Sequence, residues 1–145
     1  MTPIVRVVAP RLLPVAVVVA AALIVKGYTD VGEGFGAGVI VGLAIGLRYV
    51  VLGPERADRS LPVVRRAEPL AAIGLLIALG SGFAGVLLGA PPFTHYPRPG
   101  EEVLRVGTLE LTTAMSFDIG LFLLVVGVVV VLIRELSRLV TEPAT

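Results

Sequence analysis

Asp118 stands in the stretch SFDIG at the head of a long apolar run. Lys26, Asp30 and Glu33 stand in a glycine-rich stretch, Lys26 to Gly38, that reads KGYTDVGEGFGAG. A carboxylate inside hydrocarbon is costly and marks an ion route or a buried partner. If the helix carrying Asp118 began after it, Ile119 to Ile133 would supply fifteen residues, about 22 Å, too short for a bilayer core of about 30 Å. Asp118 is therefore expected inside the helix near its outer end. There it either complements the positive helix N-terminus or serves as an ion-route or subunit-contact residue. One carboxylate near the surface does not carry a proton across the membrane unaided. Glu33, wedged between Gly32 and Gly34, is either solvated or in contact with a neighbouring subunit, and Lys26 and Asp30 read as solvated loop charges.

The remaining chemistry is sparse. With no cysteine and one histidine, His95, the chain has no thiolate chemistry, no Cys-ligated metal and no histidine cluster. His95, between Thr94 and Tyr96, reads as a surface residue. Gly80, Gly82 and Gly85 spell G-x-G-x-x-G, but no strand precedes them and the motif lies inside an apolar run. They read as packing glycines, not a dinucleotide site. Arg11 and Arg48 lie near span ends, where a long side chain reaches the interface. The expectation is a protein that is not an enzyme, holds no cofactor or metal, and, at a net charge of +1, is not marked as a nucleic-acid binder.

The elements that must position these residues follow from composition. Of 145 residues, 56% are hydrophobic and 16% charged, and the mean hydropathy is +0.96, far from a soluble domain. Four runs are of membrane-spanning length: residues 7–25, 35–52, 70–90 and 113–133. The fold class is all-α, a polytopic membrane protein in a multi-pass arrangement, with residues 1–145 forming one compact bundle in contact with lipid. Small residues at Ala20 to Ala22 are followed by more apolar sequence, so the first span reads as a retained signal anchor. Pro10 is expected at its entry, with Pro14 bending its first turns.

Positive charge sets the orientation. The N-terminal segment, second loop and C-terminal segment carry nine arginines: Arg6, Arg11, Arg48, Arg56, Arg59, Arg65, Arg66, Arg134 and Arg138. The first and third loops carry Lys26, Arg98 and Arg105. Nine against three predicts that both termini are cytoplasmic. The arginines of the second loop read most simply as this topology signal, with a lipid-headgroup patch as the other reading. The third loop is expected to form a short hairpin around Gly107 or to lie along the membrane surface. Within the second span, Gly34, Gly38, Gly42 and Gly46 recur every fourth residue and so form one helix face, the small-residue device of membrane helix packing.

These stretches resemble a known family. VVAPRLLPVAVVV, the turn KGYTDVGEGFGAG and PPFTH followed by VGTLELTTAMSFDIGLFLLVVGVVVVL are similar to the MnhB/MrpB subunit of multisubunit Na+/H+ antiporters, across all four spans. The turn and Phe117-Asp118-Ile119-Gly120 are the most specific parts. The family's Pro-Gly-Gly-Gly-Phe core is here Val31, Gly32, Glu33, Gly34 and Phe35. The resemblance implies a non-catalytic four-span subunit of a hetero-oligomeric monovalent cation/proton antiporter in a prokaryotic plasma membrane. Its partners would be complex-I-like large subunits, which hold the lysine and glutamate relays, and other small membrane subunits. It marks Asp118, Glu33, Phe35 and Phe117 as candidate ion-route or subunit-contact residues, and Gly120 joins the four glycines above as a packing residue. A homologous subunit of an energy-converting hydrogenase and a free-standing tetraspan scaffold are the alternative functions.

Overall fold

The computed structural model describes residues 3–26, 32–97, 102, 104–106 and 109–141. Four helices are long and apolar enough to cross a membrane: α1 (Pro3–Lys26), α2 (Glu33–Leu52), α4 (Ala67–Leu87) and α5 (Thr113–Thr141). Between α2 and α4 lie α3 (Pro54–Ser60) and a 3-10 turn (Pro62–Arg66), and between α4 and α5 lie the short strands β1 (Leu104–Val106) and β2 (Leu109–Leu111). The all-helical membrane architecture is as expected, with shifted ends. Helix α1 begins at Pro3, so Pro10 and Pro14 both lie inside it, and Pro10 is not at its entry. Helix α4 stops at Leu87, and Gly89, with φ of 74°, turns the chain away. Helix α5 continues to Thr141, so Arg134 and Arg138 are helical.

The helices do not close into the compact bundle expected. Helix α2 packs on α1 at one side and on α5 at the other, and α5 packs in turn on α4. The four therefore stand in the row α1, α2, α5, α4, which leaves α1 and α4 largely exposed and buries α2 the most. The core follows the inner seams: Ala20 of α1, then Ala37, Val41, Ile45 and Tyr49 of α2, then Val126 and Val130 of α5, closed at one end by Ala57, Leu61, Val64 and Ala67.

Both inner seams of α5 rest on missing side chains. A Cβ at Gly38 or Gly42 would come within 2.8 Å of Val125 or Val129, and one at Gly46 within 2.6 Å of Ile133 Cδ1. The glycine row of α2 thus seats the branched side chains of α5 in the same chain. On the other side of α5, a Cβ at Gly120 would lie 2.5 Å from the Ala78 nitrogen, one at Gly127 2.6 Å from the Ala71 nitrogen, and one at Gly74 2.3 Å from the Leu124 nitrogen. Here backbone meets backbone, the closest kind of helix approach in a membrane.

β1 and β2 pair antiparallel with Leu104 opposite Leu111, Arg105 opposite Glu110 and Val106 opposite Leu109. Of the two readings of the third loop, this is the hairpin. Gly107 lies outside the described residues, as do Asp30 and Arg98. The segment before the hairpin folds back onto the helix ends. The Phe93 amide donates to the Gly82 carbonyl at 2.6 Å, and the Tyr96 amide donates to Thr113 Oγ1 at 2.7 Å. Gly82 and Gly85 make room for it, since a Cβ on either would meet the Phe93 ring or Thr94, whereas a Cβ on Gly80 would meet nothing within 4 Å. Two of the three motif glycines therefore pack, against a loop, and the third does not.

Candidate functional site

Gly34 faces Asp118 and Gly46 faces Ile133, so α2 and α5 run parallel with their N-termini side by side. Asp118, in the second turn of α5, is 1% exposed and is the one buried charged residue among those described. Its Oδ1 accepts a hydrogen bond from the Gly32 amide at 3.0 Å. Gly32 precedes the first residue of α2 and has φ of 126°, a conformation that favours glycine. It offers no side chain to cap the helix, so the carboxylate from α5 does so. A negative charge there lies against the positive ends of two parallel helices at once.

Gly34 makes this placement possible. A Cβ on it would fall 2.1 Å from the Asp118 carbonyl oxygen, so any larger residue would push α2 off α5 at the point where the carboxylate reaches across. Glu33 is the first residue of α2 and half-buried. Phe35 is 56% exposed and turned away from the seam. Phe117 stands on the far side of Asp118, edge-on to Phe93 at 5.9 Å and to His95 at 5.9 Å. His95 is half-buried, not a plain surface residue, and its Nδ1 lies 3.4 Å from Thr113 Oγ1. Among the predicted residues, Asp118 and Gly34 therefore meet directly, Glu33 adjoins them, Phe117 belongs to an aromatic cluster over the end of α5, and Phe35 is not brought in.

Three polar contacts at the opposite end escape a reading of local pattern. Proline at position 14 has no N–H, so the carbonyl of Pro10, four residues earlier, lacks its helical donor. Arg48 Nη2 of α2 donates to that carbonyl at 2.6 Å. Arg48 is thus engaged by a neighbouring helix and does not simply reach for the interface. Beside it in sequence, the Tyr49 hydroxyl, in a residue 3% exposed, donates to Asp58 Oδ1, and Asp58 Oδ2 lies 3.7 Å from Arg134 Nε. Tyr49, Asp58 and Arg134 tie α2, α3 and α5 together. Sequence reasoning also missed Gly74 and Gly127, whose signal was available: Ala67, Ala71, Gly74 and Ala78 recur at three- and four-residue steps, the spacing of one helix face.

No group of three or more His, Cys, Asp or Glu side chains suited to a metal ion occurs among the described residues. The site's chemistry is that of acceptors supplied to orphaned backbone donors and of donors supplied to orphaned carbonyls, the requirement hydrocarbon imposes on every backbone polar group.

Four apolar helices, seamed by glycines and fastened at both ends by side chain to backbone bonds, define a multi-pass membrane protein built around close helix contact. Residues 4–131 match the family described as a domain related to the MnhB subunit of Na+/H+ antiporter, and the chain belongs to that family. It is 32% identical over 116 residues to the B subunit of the Na+/H+ antiporter of Alkalihalophilus pseudofirmus, covering 80% of this chain and 78% of that one. It is 33% identical over 117 residues to the B subunit of the Na+/H+ antiporter of Bacillus subtilis, covering 80% and 79%. A protein of Rhizobium meliloti described as the A/B subunit of a probable K+/H+ antiporter is 31% identical over 129 residues, which cover 88% of this chain and 12% of that longer protein.

Proposed function

We propose that this chain is a non-catalytic, four-span subunit of a multisubunit monovalent cation/proton antiporter in a bacterial plasma membrane, with both termini in the cytoplasm. Two of its relatives are named as B subunits of Na+/H+ antiporters, and a third as the A/B subunit of a probable K+/H+ antiporter. The observation that carries the accessory role is the use made of Asp118. The buried carboxylate is occupied in capping α2, and a lone fixed acceptor near one helix end is no chain of proton donors and acceptors. The chain's part is to hold a row of helices whose outer members, α1 and α4, offer long apolar faces to larger partner subunits that perform the exchange.

Mild-detergent purification of the tagged chain tests this directly. Antiporter subunits should co-purify, and the chain reconstituted alone should show no Na+-driven proton movement. Robust exchange by the single chain would overturn the accessory role. Orientation rests on the arginine asymmetry. A cysteine at Thr29 should react with an impermeant thiol reagent added outside intact cells, and one at Ser60 should not; the reverse pattern would overturn it.

A further inference from the structure

The stretch from Leu61 to Ala67, LPVVRRA, passes through the 3-10 turn into α4. At three residues per turn, positions 61, 64 and 67 share one side. Leu61, Val64 and Ala67 are all buried in the core cluster with Val126 and Val130. That anchor leaves two adjacent pairs facing out, Pro62 with Val63 and Arg65 with Arg66, all four exposed. With Leu70 of α4 they line an open groove of about 510 Å³.

The charge on this surface is unbalanced. Of the acids in the connection, Asp58 is engaged by Tyr49 and Arg134, and Glu55 pairs with Arg59 at 3.5 Å. Glu68, in the first turn of α4, is exposed. Among the described residues no hydrogen bond or ion pair engages the guanidinium of Arg65 or Arg66. Leu70 opens the apolar run of α4, so the groove sets its two cations beside the start of an apolar wall.

We propose that this groove binds an anionic membrane phospholipid, with Arg65 and Arg66 on the phosphate and the start of an acyl chain along Val63 and Leu70. Two adjacent guanidiniums present forked donors that suit phosphate oxygens. Juxtamembrane arginines attract anionic headgroups. The apolar wall selects a lipid over a soluble anion, and the net positive charge selects an anionic lipid over a zwitterionic one. The inference is independent of which complex contains the chain.

The test is native mass spectrometry of the purified full-length chain in mild detergent, mixed with phosphatidylglycerol or with phosphatidylcholine of the same acyl chains. The wild-type protein should retain phosphatidylglycerol on the order of tenfold better than phosphatidylcholine. The double variant Arg65→Gln/Arg66→Gln should bring the two lipids to parity. Arg56→Gln/Arg59→Gln, which removes the same charge from α3, should keep the preference. Each variant's melting temperature without added lipid shows that it is folded. Equal retention of the two lipids by the wild type, an undiminished preference in the Arg65/Arg66 variant, or an equal loss in the Arg56/Arg59 variant would overturn the proposal. So would displacement of phosphatidylglycerol by millimolar inorganic phosphate, which would mark a soluble-anion site.

Discussion

The Asp118 carboxylate of α5 accepts the Gly32 amide of α2 at 3.0 Å across 86 positions of sequence, while Gly34 lies so close to the Asp118 backbone that it has no room for a methyl group. One contact thus combines a trans-helix cap with the tightest point of the α2 and α5 seam. Asparagine at 118 keeps one oxygen for the Gly32 amide and exchanges the other for an NH2 group, and the charge it loses is worth about 0.3–1 kcal/mol at a helix N-terminus. Alanine removes the charged acceptor of this part-buried hydrogen bond, which costs about 1.5–3 kcal/mol. Asp118→Asn should therefore assemble nearly as well as wild type, and Asp118→Ala should melt at a clearly lower temperature in detergent. Loss of antiport in a fully assembled Asn variant would show that the charge handles ions as well.

Alanine substitutions along α2 should fall in a definite order. At Gly34 the added methyl meets fixed backbone, at Gly38 and Gly42 it meets Val125 and Val129, and at Gly46 it meets only the tip of Ile133. Valine is stiff at χ1, whereas the end of an isoleucine side chain can rotate away. Overpacking of a tight core costs roughly 1–3 kcal/mol, so Gly34→Ala should be the most damaging, Gly38→Ala and Gly42→Ala intermediate, and Gly46→Ala mild. Gly36→Ala, with nothing within 4 Å, should be neutral or stabilising by up to about 1 kcal/mol through helix propensity. Thermal unfolding of the five variants checks the order, and equal effects at positions 34 and 36 would refute it.

Arg48 and Pro14 should be coupled. Arg48→Met removes the donor to the Pro10 carbonyl, with an expected cost of roughly 1.5–3 kcal/mol for a charged hydrogen bond. Pro14→Ala restores the helical N–H that this carbonyl lacks. In the Pro14→Ala background Arg48→Met should cost much less, and a double-mutant cycle on unfolding free energy reads the difference. Additive effects would mean that Arg48 acts elsewhere.

Tyr49→Phe keeps the buried ring and removes the hydroxyl that donates to Asp58. The expected loss is about 1 kcal/mol. Asp58→Asn should cost more, because it also weakens the contact to Arg134 at 3.7 Å and leaves a partly buried guanidinium without its counter-charge. If Asp58→Asn proves the milder of the two, Arg134 does not depend on Asp58.

Much of this protein was legible in its residues because the membrane imposes local rules. Span length and hydropathy depend on consecutive residues alone, so four helices could be read off directly. The i+4 glycine row of α2 was visible as a pattern for the same reason, and the hairpin in the third loop as one of two readings. The sequence also showed that Asp118 was the unusual acid, since no other stands within an apolar run. What each feature faces is a property of the assembled row. The partner of the glycine row is α5 in the same chain, the helix terminus served by Asp118 is that of α2, and the carbonyl freed by Pro14 is taken by Arg48, 38 positions away. Hydrocarbon requires that every exposed backbone donor and acceptor find some partner, but it does not say which one. That choice falls to whichever side chain the packing brings within about 3 Å, and only the tertiary structure decides it.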